Sequence, residues 1–294
     1  RAENAWRLTV QSMARARRAC RAIRPSSAKR SGHGASATGR GDSFVLPPGA
    51  TAWDMDTLSY RDHRADPQAW ADELGVSREA IELYLACEVI DLHVETFSWT
   101  RSFGYDVLRR HGHGPFGARL LGQVDLPRLR EAQVGGAVWS LTTNPFRVAS
   151  EREAGFVEGL ARLRNTFAQA AEHVELVTTA AGYHAARARG RHAAFIGIQG
   201  GNALDGGGQA LDHLADGSVL LVTLMHMGPS RLGSPSTPLW SGKGLTAFGR
   251  AFVERLDSMK VFVDLAHVDR KGFWDALDVH DRRRPLLVSH AAVD

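Results

Sequence analysis

The sequence predicts an α/β fold with parallel strands, built from repeated strand–helix units. Short apolar runs alternate with helical patterns along most of the chain, and run after run ends in a histidine or another metal-ligating side chain. Gly- and Pro-marked loops, at Pro145, Gly200–Gly201, Gly206–Gly208 and Pro229–Pro238, fall between a run and the helix after it. That rhythm is the signature of βα units. A chain of 294 residues is long enough for one large domain of this class.

Before the first strand, Pro67–Leu74 and Ser77–Cys87 read as short helices, the second with Ser77 as N-cap and Glu79 and Glu82 early in it. Predicted strands are Val89–His93, Gly136–Thr142, Ala194–Gln199, Val219–His226, Val261–His267 and Pro285–His290. Connecting helices are predicted over Leu126–Gln133, Glu151–Ala171, Ala180–Arg189, Thr246–Met259 and Lys271–Asp281. Phe248, Phe252, Val253 and Leu256 form one apolar stripe. The long Met227–Gly244 connection exceeds ordinary loop length and reads as a binding loop or lid.

Charge is uneven. Residues 1–50 carry ten Lys or Arg against Glu3 and Asp42, so they read as a basic, solvated, disordered tail, and residues 51–294 as the barrel domain. Nothing after residue 50 supplies a basic face with aromatic or groove-reading elements, so no nucleic-acid partner is expected. No apolar run is long enough for a signal core or a transmembrane segment, and a cytoplasmic location is favoured. Cys20 and Cys87 alone suggest neither a disulfide framework nor a thiolate metal site. Any metal would be held by His and carboxylate.

His93, Gln199, His226, His267 and His290 close five of the predicted strands. In a parallel βα barrel such ends converge on one mouth, where residues distant in sequence can surround one ion. Residues two apart on a strand share a face, which pairs His93 with Glu95 as mixed nitrogen and oxygen donors suited to Zn²⁺. The same rule places His267 on the inward face of Val261, Val263 and Leu265, and His290 on that of Leu286 and Val288. His111 and His113 lie in a Gly-rich loop. His33, His63, His173, His184, His192, His213 and His280 read as surface residues.

Asp91-Leu-His-Val-Glu95, Val124-Asp-Leu-Pro-Arg-Leu-Arg130 followed by Gly135-Gly-Ala-Val-Trp-Ser140, Gly197-Ile-Gln-Gly-Gly201, Thr223-Leu-Met-His226, Gly244-Leu-Thr-Ala-Phe-Gly249, Val263-Asp-Leu-Ala-His-Val268 and Ser289-His290 resemble, in order, the motifs of the renal (membrane) dipeptidase family of zinc metallopeptidases. The likeness covers about residues 85–294. It implies a (β/α)8 TIM-barrel fold, two zinc ions and hydrolysis of a dipeptide substrate by a metal-bound hydroxide. His93 and Glu95 would hold one zinc, His267 and His290 the other, and His226 would contact the substrate. A homodimer is compatible with it.

Three departures from the family pattern carry consequences. Glu95 stands where the family has Asp, a change of one methylene that keeps the charge. Gln199 stands where the family has a bridging Glu, so the site loses a negative charge and one good oxygen donor. Only six strands are counted, and the family's last-strand Asp and the Arg beyond His290 have no counterpart, so the barrel reads as stopping after about six strands. The competing readings are another barrel amidohydrolase, acting on a lactone or cyclic amide, and an inactive binding protein of the same fold. A His-x-His first strand would favour the amidohydrolase, and this chain has Glu95 there.

Overall fold

Side-chain caps start most of the helices in this computed structural model, which describes residues 58, 60–98, 104–111, 124–207 and 209–290. The basic segment 1–50, His33 and His113 lie outside the described residues. Asp66 caps α1 (Pro67–Leu74), Ser77 caps α2 (Arg78–Ala86) and Asp125 caps α3 (Leu126–Glu131), each accepting a first-turn N–H. Thr179, Thr246 and Asp269 do the same for α5 (Ala180–Ala188), α6 (Ala247–Ser258) and α7 (Arg270–Val279). Such caps are worth about 1 kcal/mol each. The longest helix, α4 (Ala149–Ala168), begins after Val148 without one and instead buries Phe156, Leu160, Leu163 and Phe167 at helical spacing.

The strands are β1 (Ile90–Val94), β2 (Gly136–Thr142), β3 (Val174–Leu176), β4 (His192–Gln199), β5 (Val219–Thr223) and β6 (Phe262–Asp264). All pairings are parallel, in the order β1-β2-β4-β5-β6. β3 was not expected from the sequence. It pairs with His192–Ala194 at the start of β4, while β5 pairs with Ile196–Gln199 further along. Three residues are too few for a period to show. Pro285–His290, expected as a strand, makes a single parallel bridge from Leu287 to Asp264, with Leu287 bonded to Val263 and Leu265 on either side.

The sheet curls into a half-barrel: the rings of His93, on the first strand of that order, and of His290, beyond the last, stack at 3.9 Å. One face carries Ala137, Trp139, Ile196, Ile198, Val222, Val263 and Leu265, packed with α4 and α6 side chains in the main core. The opposite face carries Val138, Phe195 and Leu221, with Tyr183 of α5 below, and becomes polar toward the strand ends at Ser140, Gln199, Thr223 and Asp264.

This assignment corrects two expected faces. Val261, Val263 and Leu265 pack in the main core with the helices, and Leu286 packs against it, while Leu287 lies against the opposite cluster. Val288 is 45% exposed. His267 and His290 still reach the mouth, because β6 ends at Asp264 and the alternation lapses beyond a strand end.

Three histidines read as surface residues are buried, His63 (4% exposed), His192 (1%) and His280 (7%). His63 stacks on Trp70, and His280 lies between Asp257 and the Arg284 carbonyl. His192 opens β4, where its Nδ1–H donates to Val134 O (3.1 Å) and its Nε2 accepts from Trp139 Nε1 (3.4 Å).

Among the described residues the far edge of β1 has no partner strand, and Ile90 and Leu92 stand 38% and 42% exposed. An apolar open edge is a template for pairing with another copy. The chain alone is expected to self-associate at micromolar concentration. A single monomeric species in sedimentation velocity would overturn that expectation.

Candidate metal centre

Four strands and the segment after β6 bring their ends together here. β1 supplies His93 and, one residue past its end, Glu95; β4 supplies Gln199. His226 follows β5, His267 follows β6, and His290 ends the Leu287 segment. The Nε2 atoms of His267 and His290 are 2.7 Å apart, and the Gln199 amide nitrogen lies 3.2 and 3.3 Å from them. His226 and His267 stand edge to face, with centroids 5.1 Å apart. His111 is elsewhere, stacked on Tyr105 and held by Asp125. A small cavity of about 30 Å³ under Phe97, Leu141 and Gly159 shares Thr142 with this mouth and is far too small for a dipeptide.

His267 holds a left-handed backbone conformation, φ 63°, which imidazole side chains adopt more readily than bulky ones. The long loop after β5 secures it: the Ser236 N–H donates to the His267 carbonyl at 2.7 Å, and Pro235 bridges Val268. Asp269 Oδ2 accepts the N–H groups of Gly242 and Gly244, anchoring the far end of that loop. The loop expected as a binding loop or lid also clamps the His267 turn.

Burial and mutual repulsion favour the neutral imidazole at His93, His226 and His267. Burial, then repulsion from His290, pushes His93 down to about 4; burial, then His267 and His290, does the same for His226. His267 is lowered by burial and by His290. Burial raises the Glu95 carboxyl, opposed by the bond from Thr142. These imidazoles therefore offer lone pairs at neutral pH, the form a metal requires.

Among the described residues no three His, Cys, Asp or Glu side chains form a ready metal-ligand group. The reason is local. The third group facing His267 and His290 is an amide, Glu95 turns to Thr142 Oγ1 (2.9 Å), and His93 Nδ1 meets Ser140 Oγ (3.1 Å). The donors still fit a divalent ion in kind. Thr142 has one hydroxyl proton but faces two acceptors, Glu95 Oε1 and Gln199 Oε1 (3.2 Å). Turning the Gln199 amide over resolves that conflict: its NH₂ would then donate to Thr142, whose proton goes to Glu95. It also brings the amide oxygen to the imidazole nitrogens, an arrangement of lone pairs that a cation would hold together.

Ser140, Thr142, Asp264 and Ser289 received no role from the sequence. Their signal was present: each is a polar side chain in or beside an otherwise apolar strand run, and Ser140 and Asp264 are fully buried.

The family profile described as membrane dipeptidase (peptidase family M19) matches residues 77–294. A curated relative, an uncharacterized protein of the PQQ-III 3' region of Acinetobacter calcoaceticus, is 23% identical over 59% of this chain and 61% of its own length. A solved metallopeptidase from Rhodobacter sphaeroides, liganded with a phosphinate mimic of the dipeptide L-Ala-D-Ala, is 20% identical with a TM-score of 0.54, covering 66% of this chain and 62% of that one. The probable dipeptidase PvdM from Pseudomonas aeruginosa is 19% identical with a TM-score of 0.61, covering 73% and 55%. The chain thus spans about three-fifths of the length of these relatives, and the structural likeness establishes the shared fold.

Proposed function

From the membership of this chain in the membrane dipeptidase family, we propose that its strand-end cluster is a zinc centre for hydrolysing dipeptides. The carrying observation is the convergence of the His267, His290 and Gln199 side chains, their facing nitrogens within 3.3 Å of one another, beside His93, His226 and Glu95. Imidazole and oxygen donors without thiolate suit Zn²⁺. A bound zinc would lower the pKa of a water and polarise the scissile carbonyl.

The roles of the chain's own residues follow from their positions. His267 and His290 would hold the first ion with the Gln199 oxygen; His93 and Glu95 are the donors for a second. Thr142 orients Gln199 and Glu95 together. His226, held neutral, keeps a ring N–H to donate toward a substrate oxygen as negative charge develops there. The curl of the sheet gathers these groups into one mouth. L-Ala-D-Ala, whose mimic the Rhodobacter protein binds, is the first substrate to try.

Metal analysis after zinc loading and dialysis, with L-Ala-L-Ala and L-Ala-D-Ala hydrolysis, tests the proposal on the full chain. At least one zinc and measurable hydrolysis are expected, and His290→Ala should lower zinc affinity at least tenfold and abolish turnover. Zinc binding with activity only on lactones or cyclic amides would transfer the chain to the amidohydrolase reading. Little metal and no turnover would favour the binding-protein reading, which the neutral Gln199 supports.

A further inference from the structure

We propose that Asp264 and Ser289 are positioning residues that fix the proton of His290 on Nδ1, leaving Nε2 as a bare lone pair aimed into the cluster. This rests on the reading of His290 as a metal ligand only for its functional meaning; the proton placement stands on hydrogen bonds alone.

Asp264 is fully buried near the end of β6 and receives four donors. Its Oδ1 accepts the backbone N–H groups of Ala266 (3.2 Å) and Ser289 (2.9 Å), which can only donate. Its Oδ2 accepts the hydroxyls of Thr223 (2.6 Å) and Ser289 (2.7 Å). Ser289 Oγ also lies 2.8 Å from His290 Nδ1. A serine hydroxyl has one proton. With that proton committed to Asp264, Oγ can only accept from His290, so Nδ1 carries the hydrogen. Nε2 is then unprotonated where it meets His267 Nε2 at 2.7 Å and the Gln199 amide nitrogen at 3.3 Å.

The direction of each bond is set by the one before it, from the carboxylate outward. A ligating imidazole needs its second ring nitrogen tied to an acceptor in this way, because the bond fixes both ring orientation and tautomer. The partner of His93 Nδ1 is the Ser140 hydroxyl, and among the described residues no carboxylate stands behind it to set the direction. The Asp264 carboxylate also joins β5, β6 and the Leu287 segment, so a merely structural latch is the competing role, and the test separates the two.

Asp264→Asn is nearly isosteric. Its amide oxygen can keep the two backbone bonds while its NH₂ donates to Thr223 and Ser289. Ser289 must then turn its proton toward His290 Nδ1, which moves the imidazole hydrogen to Nε2. In metal-free full chain labelled with ¹⁵N-histidine, long-range ¹H–¹⁵N correlation should show His290, assigned through His290→Gln, as the Nδ1–H form in the wild type. It should be mainly Nε2–H in Asp264→Asn, mixed in Ser289→Ala and unchanged in Ser289→Thr. Zinc affinity, read by competition with a chromophoric chelator, should fall at least tenfold in Asp264→Asn and hold in Ser289→Thr. An Nε2–H form in the wild type, or an Nδ1–H form persisting in Ser289→Ala, would overturn the relay. The alanine and threonine variants decide even if Asp264→Asn fails to fold. A chain that binds no zinc yet shows the tautomer shift would overturn the metal reading and uphold the relay.

Discussion

Gln199→Glu is expected to raise bound zinc toward two per chain and to increase dipeptide hydrolysis on the order of tenfold or more, whereas Gln199→Ala should do neither. In the present arrangement Gln199 turns its amide nitrogen to His267 and His290 and its oxygen to Thr142. A carboxylate would place an anionic oxygen at both positions at once. Two divalent ions held roughly 3.5–4 Å apart repel strongly, and a bridging charge offsets several kcal/mol of that at a half-buried site. A tenfold change in affinity needs only about 1.4 kcal/mol. Zinc quantification and turnover for the three variants are the measurements. Equal metal content and equal rates in all three would remove Gln199 from the site.

The wild-type chain is expected to lose about 2–3 kcal/mol of stability between pH 7.5 and 4.5 through His192 alone. Burial, then repulsion from Arg187 and Arg130, depresses this imidazole from 6.5 to about 4, against the opposing bond to Val134. The unfolded chain therefore takes up the proton first on acidification. Stability is fully present above about 6.5 and is lost as pH falls toward 4. Other histidines here are also depressed, so the test is a difference. Denaturant unfolding of wild type and His192→Gln at the two pH values should show a shallower loss in the variant, since glutamine can still donate to Val134 and accept from Trp139 without titrating. Parallel pH dependences would show that His192 is not protonated differently in the two states.

The sequence by itself determined the class of fold and picked out the strand-end side chains His93, Gln199, His226, His267 and His290 that come together at one mouth. The apolar runs leading to His226 and His267 supply β5 and β6, which end at Thr223 and Asp264, and parallel connectivity sends their C-terminal ends to one side. Thr246, Asp269 and the Phe252 stripe likewise carry their own helix starts and buried faces. What the sequence left open is whatever depends on a partner distant in the chain. β3 is three residues long and exists through its pairing with His192–Ala194. His192 reads as a solvated residue until Val134 and Trp139 close on it. The face of β6 was misread because the alternation rule states which residues point together and not toward which layer, and the packing of Phe252, Val253 and Leu256 against that sheet decides it. The clamp that holds His267 at φ 63° and the hydrogen-bond chain from Asp264 through Ser289 to His290 are likewise tertiary. Each is a conformation imposed by groups that folding alone brings within hydrogen-bonding distance, and no spacing along the sequence encodes that approach.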